Sequence, residues 1–496
     1  MKGRIDIVQF FYGKTIFITG ATGFLAKVVL EKILRIQPNI KRIFLLIRAT
    51  KQKSSSQRLY EEIIETDLFR VVKEKCGGIE GLRSLISEKV VAVCGDISCD
   101  QNLGINQEDY NLRDYMYKEI DIIINSAATT NFHERYDVAL GINTFGALNV
   151  LSFAKKCLNA KLLLHVSTAY VCGERAGLIP EKPLSMGKTM SESYVHLDID
   201  SEKEVVDDKL KALENKNASL GEIRSSMKEL GIQRAKLHGW PNTYVFTKAM
   251  GEMILEQFKD QLEVVIIRPT IVSSTYKEPF PGWIEGVRTL DSIVVAYGKG
   301  SLKWYIGDPE TTIDLIPSDM VVNSMLMAIV THVEKSCDHH IYHVGSSLRN
   351  PLKYGDIHVF LYSYFVKNPW INGKGKFVKV GNIKVFNSME KFHKYVATHH
   401  MPLLWVLNIV NILTCRQYFD VTYTNFKRKI NLVLRLAEVY KTYMFFQGIF
   451  EDTNTEKLRV IAGESGLKNL ELDPKGIKWE EYFMNTHTPM VVKYLF

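Results

Sequence analysis

Long apolar runs are the first thing this 496-residue chain lacks. No stretch reaches the roughly 18 consecutive apolar residues that a membrane-spanning helix needs. The nearest, Met401 to Leu413, is interrupted by Pro402, Asn408 and Asn411 and reads as a buried or interfacial helix. Paired cysteines are lacking too. The seven cysteines are scattered, odd in number and without a CxxC, which fits free thiols in a reducing compartment and offers no zinc-ligand spacing. There is no internal repeat or low-complexity tract, and 46% hydrophobic residues exclude disordered and collagen-like classes. The first strand pattern begins near Lys14, so neither a secretory signal nor a transit peptide is expected. A net charge of +8 permits an anionic ligand or an anionic membrane face, and no nucleic-acid signature accompanies it.

What is present is alternation. Apolar runs at Thr15–Thr19, Arg42–Ile47, Val90–Val93, Ile122–Asn125 and Leu162–Val166 alternate with amphipathic stretches up to about residue 161. The pattern predicts βαβ units and a Rossmann-type, doubly wound parallel sheet. Gln37-Pro38-Asn39 stops the first helix, and residues 57–89 read as charged helix. A polar stretch from about 181 to 237 reads as a helical surface insertion, a candidate lid. Strand character resumes at Val264–Ile267 and ends in Arg268-Pro269, followed to about Ser347 by a substrate-side subdomain. From about residue 350 Lys and Arg outnumber Asp and Glu and aromatics are interleaved. The expected organisation is therefore a reductase-type domain over 1–350 and a mainly helical domain over 351–496.

Thr19-Gly20-Ala21-Thr22-Gly23-Phe24-Leu25-Ala26 follows the first strand. Gly20 permits a sharp turn, Gly23 permits close approach to a pyrophosphate, and a helix opening near Phe24 aims its N–H groups at the phosphates. Gly20, Thr22, Gly23, Phe24 and Leu25 are thus cofactor-binding candidates. The second strand ends Leu46-Ile47-Arg48-Ala49-Thr50-Lys51, with no acid to take a ribose 2′-hydroxyl and with Arg48 placed to grip a 2′-phosphate; NADP(H) is expected. Asp96, after the third strand, could accept from an adenine amino group. Ser126 and Ala127, after the fourth, could line the nicotinamide ribose. Both are also ordinary loop chemistry.

Tyr244 and Lys248 stand four residues apart and share a helix face. A nearby ammonium would lower the phenol toward neutrality and make Tyr244 a general acid. Val166-Ser167-Thr168 follows the fifth strand, where Thr168, or Ser167 in its place, would hydrogen-bond a developing oxyanion. Asn143 could anchor a proton-relay water or cap a helix.

Together with Arg268-Pro269, these motifs resemble the extended short-chain dehydrogenase/reductases. More closely, the chain resembles plant alcohol-forming fatty acyl-CoA reductases of the male-sterility type. Gly23-Phe24-Leu25-Ala26-Lys27, Asn125 through Phe132 and His238-Gly239-Trp240-Pro241-Asn242-Thr243-Tyr244 carry that resemblance, and Asp473-Pro474-Lys475 through Trp479 and Tyr482 carry it to the C-terminus. The resemblance covers nearly the whole chain. It implies two-step, NADPH-dependent reduction of a C16–C18 acyl-CoA through an aldehyde to a primary alcohol, without a nucleophilic cysteine or a metal. It also implies catalytic roles for Thr168, Tyr244 and Lys248, with Pro269 beside the cofactor. The end use would be wax, suberin or a related lipid. An acyl tunnel is expected between Trp283 and Tyr305 and in the C-terminal domain. That basic, aromatic domain could rest peripherally on the cytoplasmic face of the endoplasmic reticulum. A carrier-bound thioester reductase, a nucleotide-sugar epimerase or dehydratase, and a catalytically dead NADP-binding scaffold are the other readings.

Overall fold

The computed structural model describes residues 5–105, 110–191, 196–302, 304–335, 337, 339–416, 418–467 and 470–496. Seven parallel strands form the central sheet: β1 (Thr15–Thr19), β2 (Arg42–Ile47), β3 (Val90–Cys94), β4 (Ile122–Asn125), β5 (Leu162–Val166), β6 (Glu263–Pro269) and β7 (Ile341–Val344). Their order is β7-β6-β5-β4-β1-β2-β3. Most of their residues are buried, because helices cover both faces of a doubly wound sheet. The strand order reverses between β1 and β4, and the crevice beyond the carboxyl ends of strands at such a point is where α/β sheets take ligands. The seventh strand, Ile-Tyr-His-Val, escaped the sequence reading; four residues are too short to register against the flanking histidines.

Eight helices matter for the site: α1 (Phe24–Ile36), α2 (Gly146–Ala154), α3 (Ile199–Asn215), α4 (Leu220–Leu237), α5 (Thr243–Phe258), α6 (Ser318–Glu334), α7 (Met401–Leu413) and α8 (Asp420–Met444). α1 ends at Ile36, where the Gln37-Pro38-Asn39 stop lies. The insertion contains the α3–α4 pair. α5 is pinned to β6 by Arg268, whose Nε and Nη2 donate to the Glu252 carboxylate at 3.1 and 2.5 Å, with both residues buried.

The boundary expected at 350 does not separate two hydrophobic cores. One core runs from Ile5 and Phe11 through α6 to Trp479, Phe483 and Val491. Strand pairs stitch the chain across the same boundary: Gly448–Phe450 runs parallel to Gly177–Ile179, and Lys384–Phe386 runs parallel to Trp304–Ile306. Among the described residues, the stretch around α7 and α8 supplies most of a small separate core, Phe386, Phe392, Val396 and Ile430, which Ile306 joins from before the boundary. Within α7 itself Asn411 alone is buried, and Trp405 and Leu413 are more than 70% exposed. The buried reading of Met401–Leu413 is therefore wrong. An 18-residue window within Met389–Leu413 is apolar enough to cross a membrane by length and composition alone.

Candidate active site

The turn after β1 is built around Gly20, whose φ is +68°. A Cβ there would lie 2.6 Å from Ala127 N and Cα, so only glycine lets the β1 turn pack against the β4 turn. A Cβ on Gly23 would come within 3.0 Å of the Gly20 carbonyl. Gly23 caps α1 with no side-chain hydrogen bond, which leaves the first-turn N–H groups available to an anion. These observations fit a dinucleotide pyrophosphate at this turn. Over the start of α1 lies the segment 276–288, held by a Phe24–Trp283 stack at 5.0 Å, by Arg288 4.1 Å above the Phe24 ring, and by a Lys27–Glu285 ion pair at 2.7 Å.

One cavity of about 710 Å³ joins this turn to the rest of the site. Among the expected residues, Gly23, Phe24, Leu25, Ser126, Thr168, Tyr244, Lys248 and Pro269 line it, as does Ser167. Gly20 and Ala127 form the packed floor of the turn, and Thr22 is partly exposed outside the lining. Arg48 and Asp96 lie at the ends of β2 and β3 and face each other at 3.6 Å, with Arg48 mostly exposed. Asp96 also accepts from Ser98 N and Oγ at 2.9 Å, the loop chemistry that its residue type favours.

Asn143 is neither at a helix cap nor in the cavity wall. It sits inside the helical turn 140–145, 1% exposed. Its Nδ2 donates to Thr129 O and Thr247 Oγ1, and its Oδ1 accepts from Thr129 N, all near 3.0 Å. It ties the loop after β4 to the helix carrying Tyr244, and both polar atoms of its side chain bond protein.

α5 is capped by Asn242, whose Oδ1 accepts from Val245 N at 3.1 Å. That start places Tyr244 and Lys248 on the cavity face. The expected coupling between them is not what the structure has. Burial raises Tyr244 to about 12, opposed only by a hydrogen bond with Thr168. Burial lowers Lys248 to about 8, opposed by the charge of Glu252. The lysine Nζ instead donates to Val166 O at 2.7 Å and lies 3.0 Å from His165 Nε2. Spacing placed both groups on one face but carried no information about desolvation, which dominates for both. A phenol held near 12 remains protonated at neutral pH, the state a proton donor needs.

The rest of the wall comes from distant sequence. Phe132 stacks on Tyr244 at 5.8 Å and on Tyr443 of α8 at 5.2 Å, and Asn242 Nδ2 donates to Tyr443 Oη at 2.8 Å. Leu432, Leu436 and Tyr440 of α8 continue this apolar side. Lys228 of α4 and Arg435 of α8 add a cationic edge, with His133 beside them. His133 Nε2 is buried without a partner, and the ring is held below its usual value by burial and then by the charges of Arg435 and Lys228. Among the described residues neither Lys228 nor Arg435 meets a carboxylate. No sequence motif marks these contributors. Of the region from Trp283 to Tyr305 expected to supply a tunnel, Val287 to Ser292 line the cavity, while Trp283 itself stacks on Phe24.

Comparison with known proteins gives a consistent picture. A family model described as male sterility protein matches residues 18–325, and a second with the same description matches residues 398–496. The chain is 51% identical to a probable fatty acyl-CoA reductase 5 of Arabidopsis thaliana, over 99% of both chains. It is 49% identical to the alcohol-forming fatty acyl-CoA reductase of Simmondsia chinensis, over all of both chains. Among solved structures, the reductase domain of a non-ribosomal peptide synthetase from Mycobacterium tuberculosis shares the fold, with a TM-score of 0.56 at 14% identity over 97% of this chain and 91% of that one.

The insertion is anchored beside the site by buried Glu202 of α3. Its carboxylate accepts from Tyr136 Oη at 2.7 Å and Arg234 Nε at 2.9 Å, and lies 3.0 Å from His238 Nε2. Burial alone would raise Glu202, but the bonds from His238, Arg234 and Tyr136 outweigh it and hold the group at about 2, below its ordinary 4.5. A depressed carboxylate contributes stability that is fully present above the unfolded value and is lost as pH falls through the folded one. The wild type is therefore expected to lose more melting temperature than Glu202→Gln as pH falls from 4.5 toward 2. Parallel melting curves for the two proteins would show that the network does not anchor the insertion.

Proposed function

We propose, on the premise that this chain belongs to the male-sterility family of fatty acyl-CoA reductases, that it reduces a long-chain (C16–C18) acyl-CoA to the primary alcohol with NADPH, in two steps through an aldehyde. Membership makes it an oxidoreductase with a nicotinamide-binding domain, and the relatives support conversion of fatty acyl-CoA to fatty alcohol. The observation that carries the finer reading is a single cavity. Its wall holds the Gly23–Leu25 turn, the Thr168–Tyr244–Lys248 set and the apolar side of α8. NADPH over NADH is supported by the exposed Arg48 at the end of a β2 that has no acid there.

The residues fit the chemistry as follows. The first-turn N–H groups of α1 and the packed glycines would hold the pyrophosphate, and Ser126, Lys248 and Pro269 would border the nicotinamide ribose. The bound nicotinamide supplies the hydride. Tyr244, protonated at neutral pH, and Thr168 donate hydrogen bonds to the substrate oxygen and favour the charge that grows on it. Tyr244 then yields its proton to that oxygen; after the first step the hemithioacetal breaks its C–S bond, the hydroxyl proton leaving with CoA as the thiol, and after the second the product is the alcohol. Lys248 stands one helical turn further along α5 and lines the same cavity. Among the described residues no cysteine lines the cavity, and burial pushes the nearby Cys172 thiol up to about 12, so the residues at hand suit direct reduction of the thioester rather than an acyl-enzyme.

The cationic edge of Lys228 and Arg435 suits the phosphates of CoA, and the adjoining α8 face suits pantetheine and acyl methylenes. Peripheral association with the cytoplasmic face of the endoplasmic reticulum, and a place in wax, suberin or related lipid synthesis, belong to the same reading. Support for the membrane comes from exposed α7, with eight Lys and Arg against three Asp and Glu over residues 389–444. An apolar helix with basic flanks suits an anionic interface.

Purified protein incubated with NADPH and an equimolar set of C14 to C22 acyl-CoAs is expected to give primary alcohols, richest at C16 and C18, by gas chromatography. Tyr244→Phe should cut the rate by about 10²- to 10⁴-fold; full activity in that variant would remove Tyr244 from the reaction. Lys228→Ala with Arg435→Ala should raise KM for acyl-CoA about tenfold, the scale of lost charge-assisted contacts. The KM for a free fatty aldehyde should not move; equal increases for both would dissociate the edge from CoA. In vesicle flotation the protein should rise with phosphatidylserine liposomes, and Trp405→Glu with Leu413→Glu should leave it at the bottom. Wild type that stays at the bottom would end the membrane reading.

A further inference from the structure

Thr19, Asn125 and His165 lie at or near the carboxyl ends of β1, β4 and β5, three neighbours in the sheet. The register sets Thr19 opposite Asn125 and Asn125 opposite His165. Their side chains form one buried row, each 1% exposed or less. Thr19 Oγ1 donates to Asn125 Oδ1 at 2.6 Å, Asn125 Nδ2 donates to His165 Nδ1 at 3.1 Å, and His165 Nε2 reaches Lys248 Nζ at 3.0 Å. We propose that this row is a positioning device for Lys248: His165, oriented by Asn125 and Thr19, fixes the amino group and lets it interchange between amine and ammonium within the closed site.

The argument is one of donors and acceptors. A neutral imidazole carries one N–H. His165 stays neutral, because burial and then the charge of Lys248 hold it well below its ordinary value. With Nδ1 accepting from Asn125, the ring proton is on Nε2 and points at the lysine, which must offer a lone pair and is an amine. For the ammonium the row must run the other way: Nε2 accepts, Nδ1 carries the proton, and the Asn125 amide turns over to present Oδ1. A primary amide serves both senses, whereas a carboxylate would serve only the second. The far end is equally tolerant, since the Thr19 hydroxyl donates or accepts; its oxygen also accepts from Ala127 N at 3.3 Å, in the turn packed on Gly20. Val166 O only accepts, and both forms of the lysine keep an N–H for it.

Other groups face the lysine. Tyr244 lies one turn before it on α5. Glu252 lies one turn after, and its charge favours the ammonium. Glu252 is paired with Arg268 of β6, whose Nη1 lies 3.3 Å from His343 Nε2 of β7. The row is the one set of contacts at the Nζ whose polarity reverses with the proton. That suits a site where Tyr244 must be resupplied after each transfer, which is the one point that rests on the reductase reading.

The test is the titration of Lys248 itself, followed by NMR in protein labelled with ¹³C at lysine Cε and assigned with Lys248→Arg. It is read alongside the pH dependence of acyl-CoA reduction. Wild type should titrate near 8. Asn125→Asp, which forces the ammonium sense, should raise the titration, and with it the alkaline limb of the rate, by about one unit or more, a tenfold change in proton affinity. His165→Leu, which removes the ammonium's acceptor, should lower it. Opposite shifts are not what general loosening of the sheet would give. An unchanged titration in folded Asn125→Asp, or shifts of the same sign in both variants, would overturn the inference. The NMR titration needs no substrate, so failure to reduce acyl-CoA would count against the proposed function alone.

Discussion

One buried cation organises this site. Lys248 is 1% exposed, and an ammonium taken out of water is costly unless its donors are met and an opposite charge is near. Val166 O accepts from it directly, and His165 does so when the row runs in its ammonium sense. Glu252, one turn on, supplies the charge and is itself held by Arg268. Those partners come from β5 and β6, so the lysine is tolerable only with α5 in one position against the sheet. The other attachments of α5 serve the same placement. Asn143 bonds Thr247 Oγ1 at 3.0 Å, Thr144 Oγ1 donates to Thr247 O at 2.8 Å, and Asn242 caps the start. Tyr244 inherits its place against Thr168 from a helix already fixed by the lysine.

The segment after residue 350 takes part in the same constraint. Asn242, the cap, holds Tyr443 through its second polar atom, and Phe132 lies between Tyr443 and Tyr244. A helix near the C-terminus thus presses on the start of the catalytic helix. Further along, Trp479 Nε1 donates to Asn350 O at 3.0 Å, and Tyr482 Oη lies 2.8 and 2.9 Å from the hydroxyls of Ser273 and Ser274. Ser273 is itself in the cavity lining. Residues that close the core are therefore next to those that face the ligand, which is why a boundary drawn from composition does not coincide with one between cores.

Much of this was legible in the sequence, and the reasons for the rest are physical. β1, β2, β4 and β5 could be read to the residue because strands buried on both faces are continuous apolar runs bounded by polar turns. The glycine turn, Thr168 and Tyr244–Lys248 could be read because local spacing is all they require. What could not be read depends on distance. Whether Tyr244 rises or falls depends on desolvation by residues hundreds of positions away. His165 looks like an ordinary strand residue until the register sets it between Asn125 and Lys248. Tyr443, Arg435 and Lys228 join the site only through the packing of α8 and α4. Arg48 and Asp96 were located correctly at strand ends, yet sequence could not show that they face each other.

On the proposed function, the layout of the cavity follows the shape of its substrate. An acyl-CoA is an amphiphile, with the thioester at the junction between an anionic head and an apolar tail. The reacting carbon must sit where the protein makes the same change. α8 supplies that junction by itself. Leu432, Leu436 and Tyr440 recur at four-residue intervals and share a face, while Arg435 lies at its margin with Lys228 and His133 beside it. Thr168 and Tyr244 line the same cavity. α7, which packs against α8, carries the apolar character out to an exposed surface. A tail partitioned in a bilayer could follow that surface inward while the head stays at the polar edge, so the chain need not cross water between the membrane and the reaction centre. On α8 itself Leu432 and Leu436 are also exposed, at 55% and 43%, so the two helices present a shared apolar surface that the proposed membrane contact would cover.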